Sequence, residues 1–262
     1  MTPVIALMTD FGGGDYYAAA IKGVILQVNP KAVVIDVTHD IPPQDILHGA
    51  FVLRQVTPCF PVGTIFVAVV DPGVGTPRRI LAARYSERTV IAPDNGLLTF
   101  LHRDAELQEM RVVENRRYFA GSLSSTFHGR DILAPVAAHV SLGVPLDHLG
   151  PAADHIEILD VAAPRLDPDG TVHGEVMLVD RFGNLITNIA GRDVSGPRMP
   201  RPHPEVWVGS QAIGPVRTTY ADVAVGQPVA LIGSAGLLEI AVNRGSAAQT
   251  LGGGRGTAVT IR

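Results

Sequence analysis

TIFVAVVDPGVGTPRR, residues 64–79, decides the reading of this chain. Its first seven residues, 64–70, are apolar or β-branched and end abruptly at a carboxylate, Asp71. A run of four to eight such residues bounded by turn signals predicts a fully buried strand. The turn Pro72-Gly73-Val74-Gly75 follows, and then two arginines, Arg78 and Arg79. Proline stiffens such a turn, and glycine lets backbone or ligand come close. Open α/β sheets build their sites at the carboxyl ends of their strands. An acid and a base therefore fall where chemistry is expected. A second polar cluster, SSTFHGRD at 124–131, brings His128 into a similar setting, a loop ahead of a predicted helix.

Outward from this stretch, 4–8 (VIALM) predicts a first buried strand and 32–37 (AVVIDV) a second. Between them, 16–27 has helical spacing, with Ala19, Ile21, Val24, Ile25 and Val28 available for one face, and Asn29-Pro30 stops it. Residues 45–55 predict a second helix, 80–85 and 89–92 further short strands, and 131–141 a helix. Strands alternating with helices imply βαβ units and a largely parallel sheet. The texture changes at 161–170 (VAAPRLDPDG), which reads as a linker. Beyond it lie short strands at 171–179, 185–189, 205–208, 229–232, 237–241 and 258–261, the pattern of a small barrel or sandwich. The expected organisation is an α/β domain over 1–163, a linker at 164–170 and an all-β domain over 171–262.

The chain has 262 residues, 46% apolar and 18% charged, the composition of an ordinary globular protein with a real core. A net charge of −4 argues against nucleic acid as partner, because phosphate binding wants a basic face. The single cysteine, Cys59, rules out a disulfide framework within the chain and points to a cytoplasmic setting. Between Pro58 and Pro61 it reads as a small buried residue rather than a nucleophile. The start, MTPVIALMTDFGGGD, has no basic segment and meets an acid at Asp10, so no secretory leader is expected. No apolar run approaches the length of a membrane span.

Several residues carry candidate chemistry. Asp10 ends the first strand beside a Gly-rich loop and could accept ribose hydroxyls, or it could cap the following helix. The loop is no dinucleotide fingerprint, since the third glycine would fall on Tyr17. Asp71 with Arg78 is either a catalytic pair or an ion pair that staples the turn. Arg79 is expected to point away, into solvent or scaffold. Asp94-Asn95-Gly96 reads as a polar turn near a sheet edge, and DRFGN (180–184) as a hairpin turn or a site for an amino-acid zwitterion, with Asp180 for the ammonium and Asn184 for the carboxylate. The nine histidines show no paired ligand spacing, so neither a metal nor another cofactor is expected.

Taken in order, MTDFG (8–12), DVTHDIP (36–42), VVDPGVGTPRR (69–79), PDNGLLT (93–99), SSTFHGRDILAP (124–135), DRFGNLITNI (180–189) and LLEIAVNRGSAA (237–248) resemble the S-adenosyl-L-methionine hydrolases, relatives of the bacterial fluorinase and chlorinase. The resemblance implies an α/β domain, a carboxy-terminal β-barrel and a homotrimer with sites at subunit interfaces. It implies water activation by Asp71, Arg78 and His128, and ribose binding by Asp10. Methionine contacts would fall on Asp180 and Asn184 with Phe182 lining the site, and adenine near Asn95 and the 238–242 segment; Ser234, Glu239 and Ala241 complete the substrate contacts. The halogenating relatives carry another residue where Asp71 stands and a long insertion where this chain has only Ser86-Glu87-Arg88. Hydrolysis of S-adenosyl-L-methionine at the ribose C5′ is thus the expected reaction, with halide transfer or mere adenosine binding as alternatives.

Overall fold

A computed structural model describes residues 2–195 and 204–262. The chain forms two compact units, Met1–Leu159 and Asp160–Arg262.

In the first unit, β1 (Val4–Thr9), β2 (Val33–Thr38), β3 (Ile65–Val69), β4 (Ile80–Tyr85), β5 (Arg88–Pro93) and β6 (Leu107–Val112) form one sheet in the order β2-β1-β3-β5-β4-β6. The β2-β1-β3-β5 core is parallel, and β4 runs antiparallel to β5 and β6. The helices α1 (Tyr17–Val28), α2 (Ile46–Val56), α3 (Thr99–Asp104) and α4 (Ala134–Ser141) supply the connections. All five residues of β3 are buried, because the sheet is covered on both faces. Alternation divides them. Ile65, Val67 and Val69 pack with Ile21 and Ile25 of α1 and with Ala134, Val136 and Ala137 of α4. Phe66, Ala68 and the following Val70 pack with Leu53 of α2 and with Leu97, Leu98 and Leu101 around α3. Side chains on β3 are thus pinned on two sides, and its carboxyl end is a rigid platform.

The predicted strands recur within a residue or two of their expected ends, with four corrections. The second strand is not buried: β2 is an edge, and Val33 and Ile35 are exposed. Val34 and Val37 pack against the core, but Val33 and Ile35 lack a covering layer in the single chain. Ala19 faces solvent, and Ala20 takes its place against the core. The helix expected from 131 begins instead as a π-helical turn, Gly129–Leu133, running into α4. Cys59 is exposed at the end of a short 3-10 turn. The elements without a sequence expectation include α3, β6 and, in the second unit, those at 165–166, 191–195, 211–217 and 247–251. Between β4 and β5 the chain reverses through Ser86 and Glu87, both at positive φ (45° and 65°). That conformation matches the twist of a two-residue hairpin.

The second unit contains β7 (Arg165–Leu166), β8 (Val172–Val179), β9 (Leu185–Ala190), the short helix α5 (Gly191–Ser195), β10 (Glu205–Val208), β11 (Gln211–Arg217), β12 (Pro228–Ile232), β13 (Leu237–Val242), the short helix α6 (Ala247–Leu251) and β14 (Ala258–Ile261). Seven strands run β14-β10-β11-β12-β13-β9-β8, and β8 pairs back with β14, so the sheet closes into a barrel with β7 added beside β8. Closure removes the free edges that an open sheet of this size would expose. Val176, Leu185, Ile189, Val206, Leu238, Ile240 and Ile261 fill the interior. The expected segment 161–170 therefore contains a strand, β7, within its linker. No helix among the described residues is long and apolar enough to cross a membrane.

Candidate active site

Three parallel strands end side by side at one edge of the first unit. Asp10 follows β1, Asp71 follows β3 by two residues, and Asp94 follows β5. Each is a carboxylate where the strand's apolar run stops, and each has found a partner, as a half-buried charge must.

Asp71 is held by Arg78 in a fork. Nε of Arg78 donates to Oδ1 at 2.7 Å and to Oδ2 at 2.9 Å, and Nη2 donates to Oδ2 as well. Only 9% of the Arg78 side chain and 6% of the Asp71 side chain are exposed, so this is a buried ion pair rather than a surface one. The remaining nitrogen, Nη1, lies 3.0 Å from Nδ1 of His128. A guanidinium can only donate, so Nδ1 must accept. The imidazole is then neutral, with its ring proton on Nε2. Burial lowers the pKa of His128, and the Arg78 charge lowers it further against the opposing fields of Asp71 and Asp131.

The turn geometry explains this convergence. Gly75 has φ +83°, and a Cβ on it would lie 2.4 Å from the carbonyl oxygen of Ser125. Glycine lets the turn after β3 press against the loop that carries His128. Gly129 does the same on the other side, its backbone packing against Ile21 and Val69. Asp10, Asp71 and His128 line a single cavity of about 280 Å³, together with Phe11, Gln44, Val69, Val74 and Phe127.

Asp10 does not cap α1, whose N-cap is Tyr16 with no side-chain bond. Its Oδ2 instead accepts the backbone N–H of Gln44 at 2.8 Å. His39 backs the same corner: its carbonyl accepts Gly12 N–H at 2.7 Å, and its Nδ1 lies 2.9 Å from Thr9 Oγ1. Gln44 has φ +65° and gave no signal in the sequence. Asn95 donates its amide to the carbonyl of Val70 at 2.9 Å, and so braces the end of β3 directly before Asp71. Arg79 points away from Asp71 and, of the two expected settings, takes the scaffold one. It binds the buried carboxylate of Asp94 (2.9 Å from Nε, 2.5 Å from Nη2) and the carbonyl of His155.

In the second unit, 180–184 is the hairpin turn between β8 and β9, and the polar side chains within it bond to each other. Asp180 accepts the backbone N–H groups of Phe182 and Asn184 and the Asn184 side-chain amide, each at 2.9 Å. Phe182 stands 77% exposed beside them. Glu239 is buried on β13 and accepts the Tyr220 hydroxyl at 2.8 Å. Burial raises the Glu239 pKa; the Tyr220 bond opposes this and the Asp180 charge adds to it. Burial, the bond to Glu239 and the charges of Glu239 and Asp180 push Tyr220 up to about 12. Ala241 is buried two residues further along, packed with Val229 and Leu231, while Ser234 is exposed in the turn between β12 and β13. Tyr220 was not foreseen; it lies 19 residues from Glu239 with no local motif to link them.

A helix-covered sheet with an acid–guanidinium–imidazole array at its strand ends, followed by a closed barrel, defines a two-domain α/β-plus-barrel protein with the makings of an enzyme. Residues 5–150 match the SAM hydroxide adenosyltransferase N-terminal domain and residues 174–260 the SAM hydroxide adenosyltransferase C-terminal domain, and the chain belongs to that family. It is 42% identical over 259 residues to a (R)-S-adenosyl-L-methionine hydrolase of Thermus thermophilus, covering 96% of each chain. A protein of the same name from Salinispora tropica is 40% identical, over 96% of this chain and 94% of the relative. A fluorinase from an Actinoplanes species is 30% identical over 99% of this chain and 97% of its own. Among solved structures, a conserved protein from Thermotoga maritima superposes with a TM-score of 0.90 at 38% identity, covering 98% of this chain and 99% of its own.

The neutral state of His128 has a measurable consequence. In the unfolded chain the imidazole titrates near 6.5, and in the folded protein its pKa lies lower. The stability contributed by the neutral ring is therefore whole above pH 6.5 and is lost as pH falls through the folded value. Histidine NMR titration is expected to place the His128 midpoint below 6.5. A midpoint above that value would contradict the Arg78-to-Nδ1 arrangement.

Proposed function

We propose that this chain hydrolyses S-adenosyl-L-methionine to adenosine and L-methionine, with water attacking the ribose C5′. The observation that carries the reading is that Asp71 and His128, bridged by the buried Arg78, stand on the wall of the same cavity as Asp10. The names of the relatives at 40–42% identity support it, and the halogenating relative stands further off at 30%. Asp71 and the tight β4–β5 turn are the two features by which the chain departs from the halogenating pattern. The relatives' names also specify (R) configuration, which supports the R sulfonium as the preferred epimer.

The chemistry follows from the donors and acceptors available. Nucleophile, C5′ and sulfur must be in line, and positioning alone supplies several kcal/mol of the barrier reduction. An oxygen lone pair of water forms the bond to C5′ while the C5′–S bond breaks. The bonding pair goes to sulfur, which leaves as a neutral thioether and needs no acid. The water must lose a proton. His128 is poorly placed to take it, because its Nδ1 lone pair is engaged by Arg78. Asp71 is the acceptor in this reading, and His128 orients the water as a donor through Nε2–H. Arg78 holds Asp71 in register.

Substrate contacts are assigned on the family pattern. Asp10 receives the ribose hydroxyls beside its bond to Gln44. Asp180, Phe182 and Asn184 hold the methionine portion, and Asn95, Ser234, Glu239 and Ala241 contribute to the rest of the ligand. Copies assemble as a homotrimer with sites at the subunit interfaces, in the cytoplasm. The exposed Val33 and Ile35 of edge strand β2 and the exposed Phe182 support an assembly that covers apolar surface.

Three measurements test the reading. With S-adenosyl-L-methionine as substrate, the wild type is expected to yield adenosine and methionine, also in excess chloride or fluoride, and faster from the R than from the S epimer. Asp71→Asn is expected to lower kcat by about 10²–10⁴-fold with the fold retained. Halogenated adenosine as the main product, or binding of adenosine with no turnover, would overturn it. Native mass spectrometry is expected to show a particle of three chains, and a stable monomer would contradict the assembly.

A further inference from the structure

The mechanism leaves one buried ionised group at the site unexplained. Asp131 lies three residues beyond His128, inside the π-helical turn Gly129–Leu133, and is 2% exposed. Single π turns recur at functional sites because they re-aim a side chain within a helix. Here the turn aims the carboxylate of Asp131 back at the loop before it. Its Oδ2 accepts the backbone N–H of Ser124 at 2.6 Å, and its Oδ1 accepts Arg130 Nε at 2.6 Å. Its own carbonyl accepts Ala120 N–H at 2.8 Å. The Arg130 guanidinium in turn lies 4.8 Å from the centre of the Phe127 ring. One residue therefore ties the segment that delivers His128 at two points, Ala120 and Ser124.

We propose that Asp131 is a positioning residue of this site: its clamped carboxylate holds the 124–128 loop so that His128 Nδ1 meets Arg78, and it places a fixed negative charge behind the imidazole. The proposal rests on the reading of His128 as part of the active array. A second contact couples the clamp to Asp71. The Ser125 carbonyl sits against Gly75, so a shift of the clamped loop presses on the turn that carries Arg78. The charged and titratable groups around His128 are few. Arg78 and Asp71 face it from the turn after β3, Asp131 and Arg130 come from its own turn, and Asp10 shares its cavity from the end of β1. Tyr16 adds its field at Arg130. Burial would raise the pKa of Asp131, but the Arg130 bond and the Ser124 N–H together hold it below the ordinary carboxylate value. It thus stays charged at neutral pH and favours the protonated imidazole, in opposition to Arg78.

Asp131→Asn keeps the size of the side chain and removes the charge. The His128 midpoint, read by NMR on the ligand-free protein, is expected to move down from its wild-type value. With S-adenosyl-L-methionine, kcat is expected to fall about tenfold while KM stays within about threefold. An unchanged midpoint, or a kcat within about twofold of wild type, overturns the proposal. Failure of the hydrolase reading looks different: the wild type itself shows no turnover, and the NMR midpoint alone then decides. If Asp131→Asn does not fold, amide exchange in the wild type decides. The Ser124 and Ala120 amides are expected to be protected at neutral pH, and exchange at the unprotected rate overturns the clamp.

Discussion

Everything at the candidate site depends on the guanidinium of Arg78. It is a buried cation with two obligations, a carboxylate on one edge and an imidazole nitrogen on the other. Breaking a buried pair by removing one partner costs about 3–5 kcal/mol, because the other charge is left unpaired. Arg78 therefore fixes the orientation of Asp71 and the tautomer of His128 at once. Lysine could not replace it, since a point charge has no fork to span both partners.

The fold exists around this contact in a specific way. A parallel sheet buried on both faces makes β3 stiff, and it ends where apolar sequence gives way to Asp71. The turn that follows must double back to bring Arg78 onto Asp71 and must also admit the His128 loop. Gly75 at positive φ satisfies both demands, and a Cβ there would strike the Ser125 backbone. Asn95, in the turn just past neighbouring strand β5, ties the Val70 carbonyl, so the approach to Asp71 is braced from the side as well. The neighbouring Arg79 turns to Asp94, which keeps its charge away from Asp71.

Much of this was legible in the residues. The apolar run 64–70, the Pro-Gly turn and the basic pair after it forecast a strand end with an acid and a base, and the alternation of strands and helices forecast the parallel sheet. What escaped depends on tertiary partners. Strand β2 has the apolar sequence of a buried strand, yet it lies at an edge, and composition cannot tell the two apart. The elements α3, β6 and β11 are short or mixed in character, and neighbours rather than periodicity hold them in place. The bond between Gln44 N–H and Asp10 requires a positive φ at a glutamine, which no pattern announces. The Tyr220–Glu239 bond joins residues far apart in the chain. Asp131 was in plain view within HGRD, but its role appears only when a π turn bends it back toward Ser124.

The assignment of roles rests on a simple hydrogen-bond constraint. Because Arg78 can only donate, His128 must accept at Nδ1, and the proton of an attacking water must go elsewhere. In the proposed mechanism that role falls to Asp71, with water rather than an anion as the nucleophile. The most direct test is the fate of the water oxygen. Incubation with S-adenosyl-L-methionine in heavy-oxygen water is expected to place one heavy oxygen at the 5′ hydroxyl of the adenosine formed. Adenosine without the label, or no adenosine at all, would contradict the account.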